Sequence, residues 1–119
     1  METKRANKIK VEFKVNRQEE RQTIVKLTYS RTCRIRIWPT TFLKDTQSNH
    51  TSKLIEVYNV TKYPTWSILP AGKEFTLVFD GLPKKCTSFH LVEEIPEPYG
   101  MCFRNIGRNS SDVYQIIVE

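Results

Sequence analysis

Apolar and polar residues alternate with a period of two along most of this chain. Ile9, Val11, Phe13 and Val15 alternate with lysines and a glutamate. Similar short runs lie at residues 25–29, 33–37, 54–60, 66–69, 75–79, 88–92, 101–106 and 113–118. Successive side chains of a β-strand point to opposite faces, so the pattern predicts strands that bury one face.

Prolines and glycines separate these runs. Pro39 and Pro64 interrupt apolar stretches, and "LPAGKE", "DGLPKK" and "IPEPYG" carry residues typical of turns. No stretch has the convincing 3.6-residue period of an amphipathic helix. Eight to nine short strands at this spacing predict an all-β fold, an antiparallel immunoglobulin-like β-sandwich. A chain of 119 residues fits a single domain spanning residues 1–119.

The charge is unevenly distributed. Residues 1–44 hold 12 Lys/Arg against 4 Asp/Glu, and residues 45–119 hold 7 against 9, which gives a net charge of +6. A basic half can bind nucleic acid or an anionic surface, but no recognition motif accompanies the charge here. We therefore expect the lysines and arginines of this half to lie on strand faces that are exposed to solvent. A small cytosolic protein that binds nucleic acid or an acidic protein is the alternative. No apolar run is long enough for a transmembrane segment.

The residue types of catalysis and metal binding do not form a recognisable pattern. The cysteines and histidines lack ligand-like spacing, so neither a metal nor a cofactor is expected. No G-x-S-x-G motif or phosphate loop is present. His90, Glu93 and Glu94 stand at the end of one predicted strand, where adjacent positions face opposite sides. They therefore predict a salt bridge or turn cap rather than an acid–base pair, and the protein is not expected to be an enzyme.

The three cysteines, Cys33, Cys86 and Cys102, are predicted to be free thiols. If the strands around "EEIPEPYG" form a hairpin with Val92 opposite Met101, Cys86 and Cys102 are offset by about 17 Å along it. This offset is too large for a disulfide. Cys86 is expected in a loop and is predicted to be the most reactive thiol.

The best candidate for a binding surface is the polar face around residues 33–37. Arg34, Arg36 and Trp38 project from this face, and Lys10 and Lys26 extend the patch if their strands are neighbours. A guanidinium offers a planar fork of donors and an indole offers a stacking plane, so the face can hold an acidic or planar ligand. The alternative is a solvated sheet face on which arginine stems cover apolar surface.

The chain also carries an ordered set of motifs. They are Pro70 and Gly72, then "FTLVFDGLP" (75–83), "FHLVEE" (89–94) and the segment 103–107, preceded by "RIRIWPTTFLKD" (34–45). This order resembles a β-sandwich domain of unknown function from secreted and periplasmic Bacteroidetes proteins, found alone or ahead of thioredoxin-like domains. The family usually has an aspartate in place of His90 and a glycine in place of Glu94.

The resemblance implies an accessory domain without established chemistry. We expect a non-enzymatic β-sandwich module that binds a protein or glycan partner or spaces other domains. The implied location is periplasmic or extracellular, with a signal removed, and the cytoplasm is the alternative.

Overall fold

A computed structural model describes residues 21–119, and within this range the backbone forms nine β-strands and no helix. The strands are β1 (Thr23–Tyr29), β2 (Cys33–Ile35), β3 (Thr41–Asp45), β4 (Thr51–Tyr58), β5 (Ser67–Leu69), β6 (Glu74–Phe79), β7 (Ser88–Glu93), β8 (Cys102–Gly107) and β9 (Val113–Val118). The prediction of an all-β, sandwich-like fold is confirmed. The strand predicted at residues 9–15 lies outside the described residues, and β3 is a strand that the alternation did not single out.

Seven strands form one mixed sheet in the order β8-β7-β3-β4-β6-β1-β9, and β2 and β5 form a small second sheet. Neighbouring strands are antiparallel except β1 and β9, which run parallel, so the fold is mixed rather than purely antiparallel. The reason is that the chain crosses from β8 to the opposite edge of the sheet before β9 begins. A strand that arrives by such a crossover can run parallel to its new neighbour.

The length of this crossover shows that the large sheet is curled. β8 and β9 lie at opposite edges, yet only residues 108–112 join them. The edges of a flat seven-stranded sheet would be about 28 Å apart, whereas this connection spans at most about 22 Å. Phe89 in β7 and Tyr114 in β9 also pack edge to face, with 5.0 Å between ring centroids, although other strands separate them in the sheet. The sheet therefore folds over and packs its inner face as two layers.

The hydrophobic core fills the inner face of the curled sheet. Most of its fully buried side chains come from alternating positions of β1, β3, β6 and β7. They include Val25, Leu27, Leu43, Phe75, Leu77, Phe79, Phe89 and Leu91. Complete burial of one large apolar side chain contributes about 1.5–3 kcal/mol, so the alternating residues are the main source of stability.

The turn between β5 and β6 requires its glycine. The Lys73 N–H donates to the Pro70 carbonyl at 3.1 Å, and Gly72 has a φ of +80°. A positive φ at the third turn position is typical of a type II turn and strains residues that have a Cβ. The structure confirms the predicted proline–glycine turn.

The hairpin of β7 and β8 differs by one residue from the predicted register. Val92 pairs with Cys102 rather than with Met101. The reason is that Met101 is already bonded to Glu93, whose N–H donates to the Met101 carbonyl at 2.8 Å. A bulge between Phe89 and Leu91 then shifts the register by one more residue.

The three cysteines are free, as predicted, but their exposure differs from the prediction. Cys86 is buried, with its Sγ 3.2 Å from the Ser88 carbonyl, whereas Cys102 is exposed and Cys33 is half-buried. Burial raises the pKa of both the Cys86 and the Cys33 thiols. The expectation that Cys86 is accessible in its loop is wrong, because the loop after Pro83 turns this side chain into the core.

A buried ion network fixes the crossover between β8 and β9; we call it the Arg108 network (Arg21, Arg108, Asp112 and Tyr114). Arg108 Nε and Nη2 donate to the two Asp112 carboxylate oxygens at 2.7 and 3.1 Å, and Nη1 donates to the Pro83 carbonyl at 2.7 Å. Arg21 Nη2 and the Tyr114 hydroxyl each donate to Asp112 at 2.9 Å. Burial alone would raise the Asp112 pKa, but these hydrogen bonds outweigh burial and lower it. Asp112 therefore stays ionised inside the fold.

Candidate ligand-binding cavity

The small sheet brings the predicted binding face against aromatic residues from a distant part of the chain. β2 pairs with β5 in a register that, continued by one residue, places Arg36 opposite Trp66. Beyond the end of β2, Ile37 forms a parallel bridge with Lys62. The two pairings together hold the connection between β4 and β5 beside the arginines.

This pairing builds an arginine–aromatic cluster of Arg34, Arg36, Trp38, Tyr63 and Trp66. The Cζ atoms of Arg34 and Arg36 lie 4.6 and 4.0 Å from the Trp66 ring centroid. Arg36 also lies 4.6 Å from the Tyr63 centroid, and Tyr63 stacks on Trp38 at 3.8 Å. Each cation–π contact at such distances contributes about 0.5–1 kcal/mol at an exposed site. The rings and guanidiniums therefore hold one another in place, while Tyr63 and Trp66 stay 42% and 44% exposed.

Four members of the cluster, all except Tyr63, form one wall of a cavity of about 340 Å³. The opposite wall comes from β7 and the β7–β8 connection, and consists of Glu93, Ile95, Glu97, Tyr99 and Met101. Tyr29, Cys33 and Ile35 complete the lining. Ligand sites in proteins usually start near this volume and combine apolar walls with a few placed polar groups. The cavity therefore has the size and the composition of a small ligand site.

Arg36 is a largely buried charge in this cavity, with 15% of its side chain exposed. Its Nη1 donates to the Pro64 carbonyl at 3.1 Å, and its Nη2 donates to the Glu97 carboxylate at 3.2 Å. Its Nε is buried and has no hydrogen-bond partner within residues 21–119. A buried donor without a partner is unfavourable, so Arg36 keeps the capacity for one more acceptor.

Glu93 is a buried backbone cap beneath the cavity. Its two carboxylate oxygens accept the N–H groups of Trp38 and Met101, both at 3.1 Å. His90 faces the other side of β7, where its Nδ1 accepts the Asn105 N–H at 3.0 Å. The two side chains therefore lie on opposite faces, as the alternation predicts, and Glu93 has the capping role that the sequence suggested.

Tyr29 contributes a neutral phenol to the cavity. Burial, with smaller contributions from Cys33 and Glu93, raises the pKa of Tyr29 to about 12. The hydroxyl therefore remains protonated at neutral pH.

Three of the five predicted site residues meet at this cavity. Arg34, Arg36 and Trp38 line it, in agreement with the sequence pattern. Lys26 lies on the outer face of β1, away from the core, and does not line the cavity. Lys10 lies outside the described residues.

Tyr63, Trp66, Glu97 and Tyr99 were missed by the sequence analysis. The available signal was the presence of large aromatic residues beside prolines in "KYPTW" and "PEPYG", where a solvated loop rarely needs them. Their partners could not be read from the chain, because the contacts depend on the β2–β5 pairing and on the path of the β7–β8 connection.

Comparisons with protein-family models, with curated proteins and with solved structures gave no match. In the described part of the chain, no group of three or more metal-ligating side chains is present. Residues 21–119 also contain no helix that is long and apolar enough to cross a membrane. The cavity geometry is therefore the basis for inferring a function.

Proposed function

We propose that this protein is a non-enzymatic β-sandwich module that binds a protein partner through the arginine–aromatic cavity. The observation that carries the proposal is the convergence of Arg34, Arg36, Trp38 and Trp66 on one cavity of about 340 Å³. Tryptophan, tyrosine and arginine dominate the energetic centres of protein interfaces, where large rings and forked donors meet a partner. Tyr99, which is 90% exposed, extends this surface beyond the cavity.

A protein partner fits the cluster better than a glycan does. Sugars bind aromatic side chains by lying on an open ring face. Here Trp38 and Tyr63 stack on each other, and Trp66 has two guanidiniums within 5 Å of its centroid. The groups that remain available are guanidinium edges, a tyrosine and an apolar wall, which suit peptide side chains and carboxylates.

Two groups in the cavity support a binding role rather than a catalytic one. The Glu93 carboxylate accepts two backbone N–H groups, which ties it to the fold, and burial raises the pKa of the Tyr29 phenol to about 12. A general base must be able to accept a proton from a substrate near neutral pH, and a phenol that is still protonated there does not meet this requirement.

The placement of the basic residues disfavours the nucleic-acid alternative. Arg21 pairs with Asp112, Arg36 pairs with Glu97, and Lys26 faces the outer side of the sheet. Binding to a phosphate backbone requires a continuous patch of uncommitted cations on one face.

Site-specific photocrosslinking in cells that express the protein tests the proposal. A photoreactive amino acid at Tyr99 is expected to give a discrete crosslinked protein, and Arg34→Gln in the same chain is expected to remove it. The matched control is the same amino acid at Gln115, an exposed position on β9. No crosslink from position 99, or the same product from both positions, would contradict the proposal.

The proposed site of action is the periplasm or the outside of the cell, and it rests on the family resemblance. Cys102 offers a test because its side chain is exposed. A maleimide that cannot cross the inner membrane is expected to label the wild-type protein in cells with a permeabilised outer membrane, and Cys102→Ser is expected to lose most of the label. Labelling only after lysis would support the cytoplasmic alternative.

A further inference from the structure

The connection between β7 and β8 is anchored at both ends and exposed in the middle. At its base, the Glu93 N–H donates to Met101 O at 2.8 Å and the Met101 N–H donates to Glu93 Oε1 at 3.1 Å. Gly100 packs so closely that a Cβ there would lie 2.3 Å from the Glu93 carbonyl oxygen. Between these anchors, the tip at residues 96–99 is exposed. The connection is therefore fixed at its base, while its tip faces solvent.

The tip contains Glu97, whose carboxylate forms an ion pair with the largely buried guanidinium of Arg36. Glu97 Oε2 lies 3.2 Å from Arg36 Nη2, with the Glu97 side chain 46% exposed and that of Arg36 15% exposed. Ion pairs with an exposed member contribute little to stability because water competes for the carboxylate. A second carboxylate at the same place can therefore replace Glu97 at low cost.

The contact between Glu97 and Arg36 is also incomplete. Arginine and a carboxylate prefer two parallel N–H···O bonds, and Nε and Nη2 form one edge of the guanidinium that can make such a pair. Glu97 accepts only from Nη2, and the buried Nε has no acceptor in the described part of the chain. A carboxylate that approaches along this edge in place of Glu97 would accept from both Nη2 and Nε.

We propose that Glu97 is a built-in occupant of the cavity, and that the ligand is an acidic peptide whose carboxylate replaces Glu97 at Arg36. The inference rests on the proposed function and specifies its partner. The β7–β8 connection itself indicates which ligand fits the cavity, because Ile95 and Met101 line it with apolar surface together with the Glu97 carboxylate. The expected ligand is a peptide that carries an apolar residue close to a glutamate or aspartate.

Tryptophan fluorescence gives a local readout, because the only two tryptophans of the chain, Trp38 and Trp66, both lie in the cluster. The probe is the acetylated and amidated peptide Ile-Pro-Glu-Pro-Tyr, and its control has glutamine in place of the glutamate. We expect a saturable change in emission with the acidic peptide and none with the control peptide.

The decisive variant is Glu97→Gln, which removes the internal competitor. Loss of an ion pair of this exposed type is expected to strengthen binding of the acidic peptide by up to about fivefold. Glu94→Gln is the matched control, since it removes the same charge from an exposed side chain of the same connection, and its affinity is expected to equal that of the wild type. Arg36→Lys keeps the charge but loses the fork, and it is expected to weaken binding.

Equal or weaker binding by Glu97→Gln than by the wild type would overturn the role of Glu97. If neither the wild type nor Glu97→Gln binds the peptide, the acidic-peptide class is overturned. It is also overturned if an oligosaccharide or oligonucleotide gains as much affinity from Glu97→Gln as the peptide does. The photocrosslink at position 99 separates these failures from failure of the proposed function, since a crosslinked protein there would leave the binding role intact. If Arg36→Lys fails to fold, NMR of the Glu97→Gln protein takes its place. Addition of the acidic peptide is then expected to shift the Arg36 Nε–H resonance. An unmoved resonance would overturn the proposal.

Discussion

Arg108 and Arg36 are equally buried, each with 15% of the side chain exposed, but their surroundings differ completely. Arg108 makes a two-bond pair with a carboxylate that is 1% exposed and donates to two backbone carbonyls. Arg36 has one carbonyl, one half-exposed carboxylate and an Nε without a partner among the described residues. Two equally buried arginines in one fold therefore differ in their hydrogen bonds, which are complete at Arg108 and incomplete at Arg36 within the described residues.

The largest expected effect is the difference between Arg108→Gln and Arg36→Gln. Removing one partner of a buried ion pair costs about 3–5 kcal/mol. The lower end of this range is expected for Arg108→Gln, because Arg21 and Tyr114 still donate to Asp112. Arg36→Gln loses one exposed pair and its cation–π contacts, which together amount to about 1–2 kcal/mol. Urea unfolding of the two variants measures both free energies. Equal losses would show that the two arginines are structural to the same degree.

Gly100→Ala is expected to disturb the cavity wall while leaving the Arg108 network intact. The added Cβ would lie 2.3 Å from the Glu93 carbonyl oxygen, which belongs to the backbone and cannot move aside easily. Overpacking of this kind typically costs about 1–3 kcal/mol. Urea unfolding measures the loss, and tryptophan emission is expected to shift. Gly107→Ala is the control, since its Cβ would meet nothing within 4 Å. An unchanged emission spectrum in Gly100→Ala would contradict the anchoring role of this residue.

Acidification is expected to destabilise the protein through the Arg108 network. The Asp112 pKa is lowered from its ordinary value of 3.8, because hydrogen bonds outweigh the effect of burial. A lowered pKa in the folded state contributes stability above 3.8, and this stability is lost as the pH falls through the folded pKa. Urea midpoints measured from neutral into acid pH are therefore expected to fall.

Asp112→Asn is the matched variant for this pH series, since asparagine also tolerates the φ of 57° at this position. It is expected to be less stable at neutral pH and to show a flatter acid dependence. A residual slope is expected from Asp45, whose pKa is also lowered, because bonds from Gln47 and Ser48 outweigh its burial. A slope identical to that of the wild type would remove Asp112 from this explanation.

The smallest expected effect is a difference in thiol reactivity between the two regions. Cys33 borders the cavity and is half-buried, whereas Cys86 is buried next to the Arg108 network and its carbonyl accepts from Arg108 Nη1. We expect Cys102 to react first with a thiol reagent, Cys33 to follow slowly, and Cys86 to react only on unfolding. Mass mapping of the labelled cysteines over time checks this order. Rapid labelling of Cys86 in the folded protein would show that its loop opens.

The three cavity residues that the sequence predicted could be found from the alternation within one short segment. Arg34, Arg36 and Trp38 alternate along one strand face, so any β conformation of this segment brings them together. Lys26 was placed with them only by assuming that its strand neighbours this face with the same orientation. In the fold, alternation puts Lys26 on the outer side of the large sheet, because Val25 and Leu27 must face the core.

The all-β class and most strand positions follow from local sequence alone, because the period of two and the turn residues act over a few neighbours. The same alternation predicts that Phe89 and Leu91 face inward, with His90 between them facing outward. The local sequence does not specify the parallel β1–β9 pair, the one-residue shift of the β7–β8 hairpin, or the contacts of Arg36 with Trp66 and Glu97. Those outcomes depend on which strands pair and on how the sheet curls, and both are set by packing between segments that lie far apart in the chain.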